Sequence, residues 1–293
     1  MRYLDPRSDL AFYQVFGKHP ELAMSFLNAL LPLDPEREIK EIEYFPPDLV
    51  PDNPLRKYSI VTVRCRDNQG GQFLVEMQML WSREFEQRML LNASKAYVRP
   101  IGVSKQYQQL PQSLYSLNLV NGVFEPGLQG YYHYYQMVHV EHTDKVIDGL
   151  HLVFVELPKY NPQTYREKKM KVLWLRFLTE IGERTREVPK ELLDNPDINK
   201  AVTIIEEAAF TDAQLLGYEK FWDIISVEKT LISSYERKGL AAGRAEGEAK
   251  GEEKAQHTIA FSMIADGVPF DSISKYTGLS MEEIKNMAES IRP

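Results

Sequence analysis

The residues best placed for chemistry are Glu76 and Gln78, two positions apart in the stretch Tyr58 to Met79, YSIVTVRCRDNQGGQFLVEMQM. In a β-strand, residues two apart share one face. Val75, Met77 and Met79 take the opposite face, so a carboxylate and an amide project side by side. Burying such groups costs free energy unless they are hydrogen-bonded, and a strand needed only for stability would carry Val or Thr there. A second polar set follows in the sequence. Arg88, Asn92, Lys95 and Arg99 recur at spacings of four, three and four, which lines them along one face of a helix. Arg and Lys are the natural ligands of phosphate. The face is either a solvated helix surface or one that looks across a cleft at phosphates.

The elements that must position these residues are legible nearby. Residues 58–66 alternate as a strand, with Val61, Val63 and Cys65 on one face and Ile60, Thr62 and Arg64 on the other. Asp67-Asn68-Gln69-Gly70-Gly71 is a turn cluster, since Asp, Asn and Gly tolerate positive φ. Gln72 to Met79 is the return strand, and the two form a β-hairpin. Trp81 to Arg99 reads as a long amphipathic helix with Phe85, Met89, Ala93 and Ala96 as its apolar stripe.

This stretch resembles the catalytic hairpin of the PD-(D/E)XK nucleases, and more closely the Rpn family of recombination-promoting nucleases and putative transposases. The second half of the family pattern, Glu-x-Gln, is intact as Glu76-Met77-Gln78. The first half is changed: where the family has Ile-Val-Asp-Val, this chain has Ile60-Val61-Thr62-Val63. The opening segment DLAFYQVFGKHPELAMSFLNALLP is similar to the family's opening signature, with Tyr13-Gln14 in place of two basic residues.

The resemblance implies an α/β fold, a restriction-endonuclease-like mixed sheet flanked by helices. It implies DNA as substrate and Mg²⁺, or another divalent cation, as cofactor. Glu76 would be the surviving metal ligand and Gln78 would stand for the Lys that orients the attacking water. Thr62 occupies the position of the family Asp. Lys95 or Arg88 would supply the missing positive charge, and Arg88, Lys95 and Arg99 would meet the nucleic acid. A neutral hydroxyl is a poor Mg²⁺ ligand beside a carboxylate. Two readings follow: an endonuclease that is impaired, or completed by Asp48, Asp52 or Asp67; and a nuclease fold that has lost catalysis and serves as a binding or regulatory partner. The partner besides DNA would be a second copy or a related nuclease. An acid on the first helix, Asp9 or Glu21, also assists the metal in this superfamily, although a cap and a solvated helix residue are the simpler reading.

The remainder of the chain sets bounds. Its 293 residues carry a net charge of −7, which argues against an obligate nucleic-acid binder with a wholly basic surface but leaves room for a local basic groove. The single cysteine, Cys65, excludes an intrachain disulfide, fits a reducing cytoplasm, and falls on an apolar strand face where a small buried hydrophobe is expected. No run of 18 apolar residues is present, so no membrane span is expected. Further strands are expected at Leu114–Val120, Tyr131–Val140 and His151–Leu157. His133, His139 and His142 lack the spacing of a metal motif.

Four regions result: a nuclease-like domain over 1–160, a helical region over 161–237, a charged Gly/Glu/Lys linker over 238–256, and a small helical tail over 257–293. The tail is laid out like a helix-turn-helix. Its last helix opens Met281-Glu282-Glu283, which would set two carboxylates against DNA phosphates, so a structural or protein-contact tail is expected rather than a DNA reader.

Overall fold

The computed structural model describes residues 2–44, 60–67, 71–80, 83–98, 113–161 and 169–291. It divides into two units, Met1–Val227 and Glu228–Pro293.

The first unit is built on a six-stranded mixed sheet of order β1-β2-β3-β4-β6-β5. Its strands are β1 (Ile42–Tyr44), β2 (Ile60–Asp67), β3 (Gln72–Gln78), β4 (Leu114–Val120), β5 (Tyr132–Val138) and β6 (Val146–Glu156). β2 and β3 are antiparallel, as the turn-forming sequence between them predicts. β3 and β4 run parallel. Parallel neighbours need a crossover, and α3 (Arg83–Val98) falls in that connection. β4 and β6 are also parallel, and β5 closes the edge antiparallel to β6. Every residue of β3 and of β4 is buried. Strands covered on both faces read as near-continuous apolar runs, and LYSLNLV fits that rule with two exceptions, Ser116 and Asn118.

The two faces of the sheet are covered differently. On one, Val75, Met77, Leu117, Leu119, Val153 and Val155 join a single core with Phe12, Phe16, Phe26 and Trp174. The Phe16 ring lies 4.5 Å from that of Phe26 and 5.3 Å from that of Trp174. These aromatics come from α1 (Asp9–Phe12), a π-helical turn at Tyr13–Gly17, α2 (Pro20–Leu30) and α4 (Lys169–Glu180). The Ser8 hydroxyl caps α1 by accepting the Ala11 N–H at 3.3 Å. A Cβ at Gly17 would meet the Tyr13 ring, so a larger residue there would have to displace that side chain. On the other face lies α3. Its Met89 packs with Val120 and Phe154, and its Ala93 and Ala96 pack with Leu74 and Leu114.

Several elements differ from the sequence reading. β1 is not among the expected strands; it pairs with β2 through Tyr44↔Cys65, and its Tyr44 hydroxyl donates to the Phe16 carbonyl at 2.7 Å. β6 begins at Val146 rather than His151, because the hairpin with β5 extends it. The described part of the expected helical region, 169–237, is not one run of helix. It contains α4, α5 (Lys190–Leu193), α6 (Pro196–Ile204) and the start of α7 (Asp212–Ala265). Gly182, Pro189 and Pro196 supply the breaks, with Pro196 at the first turn of α6, where a missing N–H costs nothing. The Gly-rich charged tract is helical as part of α7. Ion pairs four residues apart, Arg244–Glu248 at 2.9 Å and Glu246–Lys250 at 2.7 Å, favour that state by a few tenths of a kcal/mol each, roughly.

The second unit has its own small core of Ala260, Ile273, Leu279, Ile284 and Met287. Ile273 lies on α8 (Phe270–Thr277), while Ile284 and Met287 lie on α9 (Met281–Ile291). Gly278 ends α8 at φ 75°, the left-handed cap conformation. Ser280 and Glu283 form a capping box: the Ser280 hydroxyl accepts the Glu283 N–H at 3.2 Å, and the Glu283 carboxylate accepts the Ser280 N–H at 2.8 Å.

No helix among the described residues is long and apolar enough to cross a membrane.

Candidate functional site

The site is assembled on the α3 face of β3. Val75 and Met77 point into the large core, so alternation turns Glu76 and Gln78 toward α3. Both are buried, Glu76 at 2% exposure and Gln78 at 3%. Each meets a polar residue of the helix. Asn92 Nδ2 donates to Glu76 Oε1 at 3.3 Å, and Arg88 Nη2 donates to Gln78 Oε1 at 3.0 Å. The spacing of four along α3 matches the spacing of two along β3. One turn of helix advances about 5.4 Å, and two strand residues advance about 6.6 Å. Gln78 Nε2 also donates to the Leu80 carbonyl. The amide is therefore held at both ends.

Across the sheet, the backbone partner of Glu76 is Thr62 on β2 and Asn118 on β4. Directly opposed positions in an antiparallel pair share a face, so the Thr62 position lies beside Glu76, as the sequence register requires. Asn118 is fully buried and has its amide engaged, donating to the Ser116 and Val153 carbonyls at 3.1 Å each. It fastens β4 to β6 and packs the row beside Glu76. Asp67 stands five residues along β2 from Thr62, about 16 Å at the usual strand rise, too far to join Glu76.

The structure brings Glu76, Gln78, Arg88 and Asn92 together, with the Thr62 position alongside. Lys95 is exposed and lies one turn beyond Asn92 on α3. Arg99, Asp48 and Asp52 lie outside the described residues, and so does the Cys65 side chain. Asp9 is half-buried at the start of α1. Burial pushes its carboxyl above the usual range, against the lowering effect of backbone N–H donors including that of Leu10. Its helix covers the sheet face opposite Glu76. Glu21 is instead the partner of Lys200 at 2.6 Å.

A second buried carboxylate lies at the end of the same sheet. Glu156 has no exposed surface. Its Oε1 accepts the N–H groups of Phe124 and Glu125 at 2.5 and 3.1 Å, and its Oε2 faces His133 Nε2 at 2.9 Å and Lys159 Nζ at 2.5 Å. Burial pushes its pKa up, but the hydrogen bonds from Lys159 and His133 outweigh that and hold it below the usual carboxylate range. Every partner here is structural: the group fastens the loop after β4 to the end of β6. His139 accepts the backbone N–H groups of Glu141 and His142 at 3.2 Å. Asn92 is the site residue to which the sequence assigned no role. Its signal was its place between Arg88 and Lys95 on one helical face.

Residues 6–230 match the family model for PD-(D/E)XK nuclease family transposases. The chain belongs to this family. Neither a curated protein nor a solved structure matches it. Nucleases of the PD-(D/E)XK class typically use divalent metals, and the donor set here can be tested against that use. A hard cation takes carboxylates, carbonyls and waters. Among the described residues, no group of three or more His, Cys, Asp or Glu side chains could hold a metal. At the Glu-x-Gln strand the set is one carboxylate, already accepting from Asn92, and an amide already held by Arg88 and Leu80. This donor set does not by itself make a family metal centre.

Proposed function

We propose that this PD-(D/E)XK family protein is a DNA-binding endonuclease by descent whose cleavage is impaired because Thr62 stands at the position of the family Asp. The observation that carries the reading is the register Thr62↔Glu76. It sets a neutral hydroxyl residue directly opposite the one carboxylate of β3. DNA remains the partner because the polar face of α3 is retained. Arg88 holds the amide of Gln78, and Lys95 lies exposed on the same helix. Their positive charges would meet phosphates through charge-assisted hydrogen bonds.

In this reading the chain's own residues orient and bind. Asn92 fixes the Glu76 carboxylate, Arg88 fixes Gln78, and Lys95 and Arg99 serve the DNA backbone. Mg²⁺ would be the cation of an intact family centre. A second reading, a nuclease fold that only binds or regulates, is favoured by the 2% exposure of Glu76 beneath Asn92.

Incubating the chain with supercoiled plasmid and Mg²⁺ or Mn²⁺, alongside a binding assay on duplex DNA, tests both. Binding with weak cleavage supports impairment, and binding with none supports the second reading. Robust cleavage contradicts both, and absence of binding removes the DNA assignment.

A further inference from the structure

We propose that the open edge of the sheet at β5 docks a second copy of this chain, the two β5 strands pairing antiparallel about a twofold axis at Gln136. The inference does not depend on the DNA reading above. Among the described residues β5 pairs with β6 alone and ends the sheet. A strand edge presents N–H and C=O groups that template another strand. Their positions follow from the ladder with β6. The Glu156 N–H donates to the Tyr131 carbonyl at 2.7 Å, and the His139 N–H donates to the Lys145 carbonyl at 2.9 Å. Both bonds join directly opposed residues, so alternate positions of β5, the odd-numbered ones, turn their backbone groups toward β6. Those of Tyr134, Gln136 and Val138 turn outward.

Edges are commonly blunted by Lys, Pro, inward charges or bulges. β5 reads YHYYQMV and carries no charged residue and no proline. Its register with β6 shifts between Gln136 and Met137, where the partner changes from His151 to Ile147. β5 advances one residue there while β6 advances four, so the extra residues belong to β6 and the outer strand runs on without a break.

The side chains along this edge are apolar and held in place. Tyr134, Tyr135, Met137 and Val138 are each 37–50% exposed. The Tyr135 ring stands edge-on to that of Phe154 at 5.7 Å. The Tyr134 hydroxyl lies 2.6 Å from His151 Nδ1, and His151 Nε2 donates to the Asp148 carboxylate at 2.7 Å. Side chains ordered beforehand lose little freedom on association.

A second copy is the occupant these residues fit. With Gln136 opposite its own counterpart, Tyr134 meets Val138 of the second copy on one side of the joined sheet, and Tyr135 meets Met137 on the other. Opposed aromatic and β-branched residues stabilise a strand pair, and a methionine sulfur favours an aromatic neighbour. The two Gln136 amides can each donate to and accept from the other. The outward backbone groups of Tyr134, Gln136 and Val138 meet those of Val138, Gln136 and Tyr134. Self-pairing opposes no like charges, because the strand has none. With no Lys or Arg, the same edge has nothing to offer a phosphate.

Sedimentation velocity of the full chain over a concentration series tests this. The unmodified chain should reach twice 33.9 kDa as concentration rises. Gln136→Lys and Gln136→Glu each set like charges face to face at the axis and should raise the dimer dissociation constant about tenfold or more. Mixed in equal amounts, the two variants should dimerise again, because opposite charges then meet, a rescue that misfolding cannot imitate. Position 136 is exposed, so the melting temperature of each variant should hold. A chain that stays monomeric at every concentration overturns the proposal and leaves the edge to an extended segment of another protein. A dimer that both variants leave intact places the interface elsewhere and overturns it as well, as does an equal mixture that stays monomeric.

Discussion

Replacing Glu156 by Ala should be among the most damaging single changes in the first unit. The carboxylate has no exposed surface and four partners. Its loss strands the Phe124 and Glu125 N–H groups and leaves the Lys159 ammonium, itself 13% exposed, without its counter-charge. Breaking a buried pair by removing one member costs about 3–5 kcal/mol, a large share of the roughly 5–15 kcal/mol that holds a domain folded. For a unit of this size that corresponds to a fall in Tm of about 6–20 °C.

Glu156→Gln keeps an oxygen for the two N–H groups and removes only the charge, so it should cost less. The pH dependence follows from the lowered pKa. The folded-state value lies below the unfolded one, so the stabilisation is fully present above the unfolded value near 4.3. It is lost as pH falls through the folded value. The gap between the unmodified chain and Glu156→Ala should therefore be widest near neutral pH and close in strong acid. Urea denaturation followed by tryptophan fluorescence reads it. A penalty under about 1 kcal/mol at neutral pH would refute the account of this cluster. The change also reaches the site, because Gln78, Val120 and Glu156 form one row across β3, β4 and β6.

Removing both cations of the α3 face, Arg88→Ala with Lys95→Ala, should weaken DNA binding and make its salt slope shallower by up to about 1.8; equal binding at every salt concentration would return them to a solvated helix face. Ile284→Ala, at a fully buried position in a five-residue core, should cost about 2–5 kcal/mol. It should expose residues 257–291 to limited proteolysis while the first unit stays resistant, and unchanged protection would show that this core does not hold the second unit.

Much of the fold was legible because its signals are local. The hairpin of β2 and β3 carries a turn cluster between two alternating runs, and α3 shows its apolar stripe at Met89, Ala93 and Ala96. β4 is a near-continuous apolar run broken by Ser116 and Asn118. β1 was missed because three residues have no period to read, and its pairing with β2 is a tertiary fact. The early start of β6 at Val146 depends on β5 being beside it. Within the site, Glu76 and Gln78 were visible as polar residues where a strand face should be apolar. The contacts Asn92–Glu76 and Arg88–Gln78 were not visible, since they depend on how far along β3 the helix settles.

The most direct test of the central claim is to restore the missing carboxylate. Thr62 and Glu76 are backbone partners, so an Asp at position 62 would lie beside Glu76 and set a second carboxylate at the same row of the hairpin. Cleavage of supercoiled plasmid should be measured with Mg²⁺ and with Mn²⁺ for the unmodified chain, Thr62→Asp, and Thr62→Asp/Glu76→Ala, with metal affinity measured by calorimetry on the same samples. The account predicts little cleavage by the unmodified chain, tighter metal binding and clear cleavage by Thr62→Asp, and neither gain in the double variant. Robust cleavage by the unmodified chain, or a Thr62→Asp variant that is folded yet gains neither metal nor activity, would contradict it.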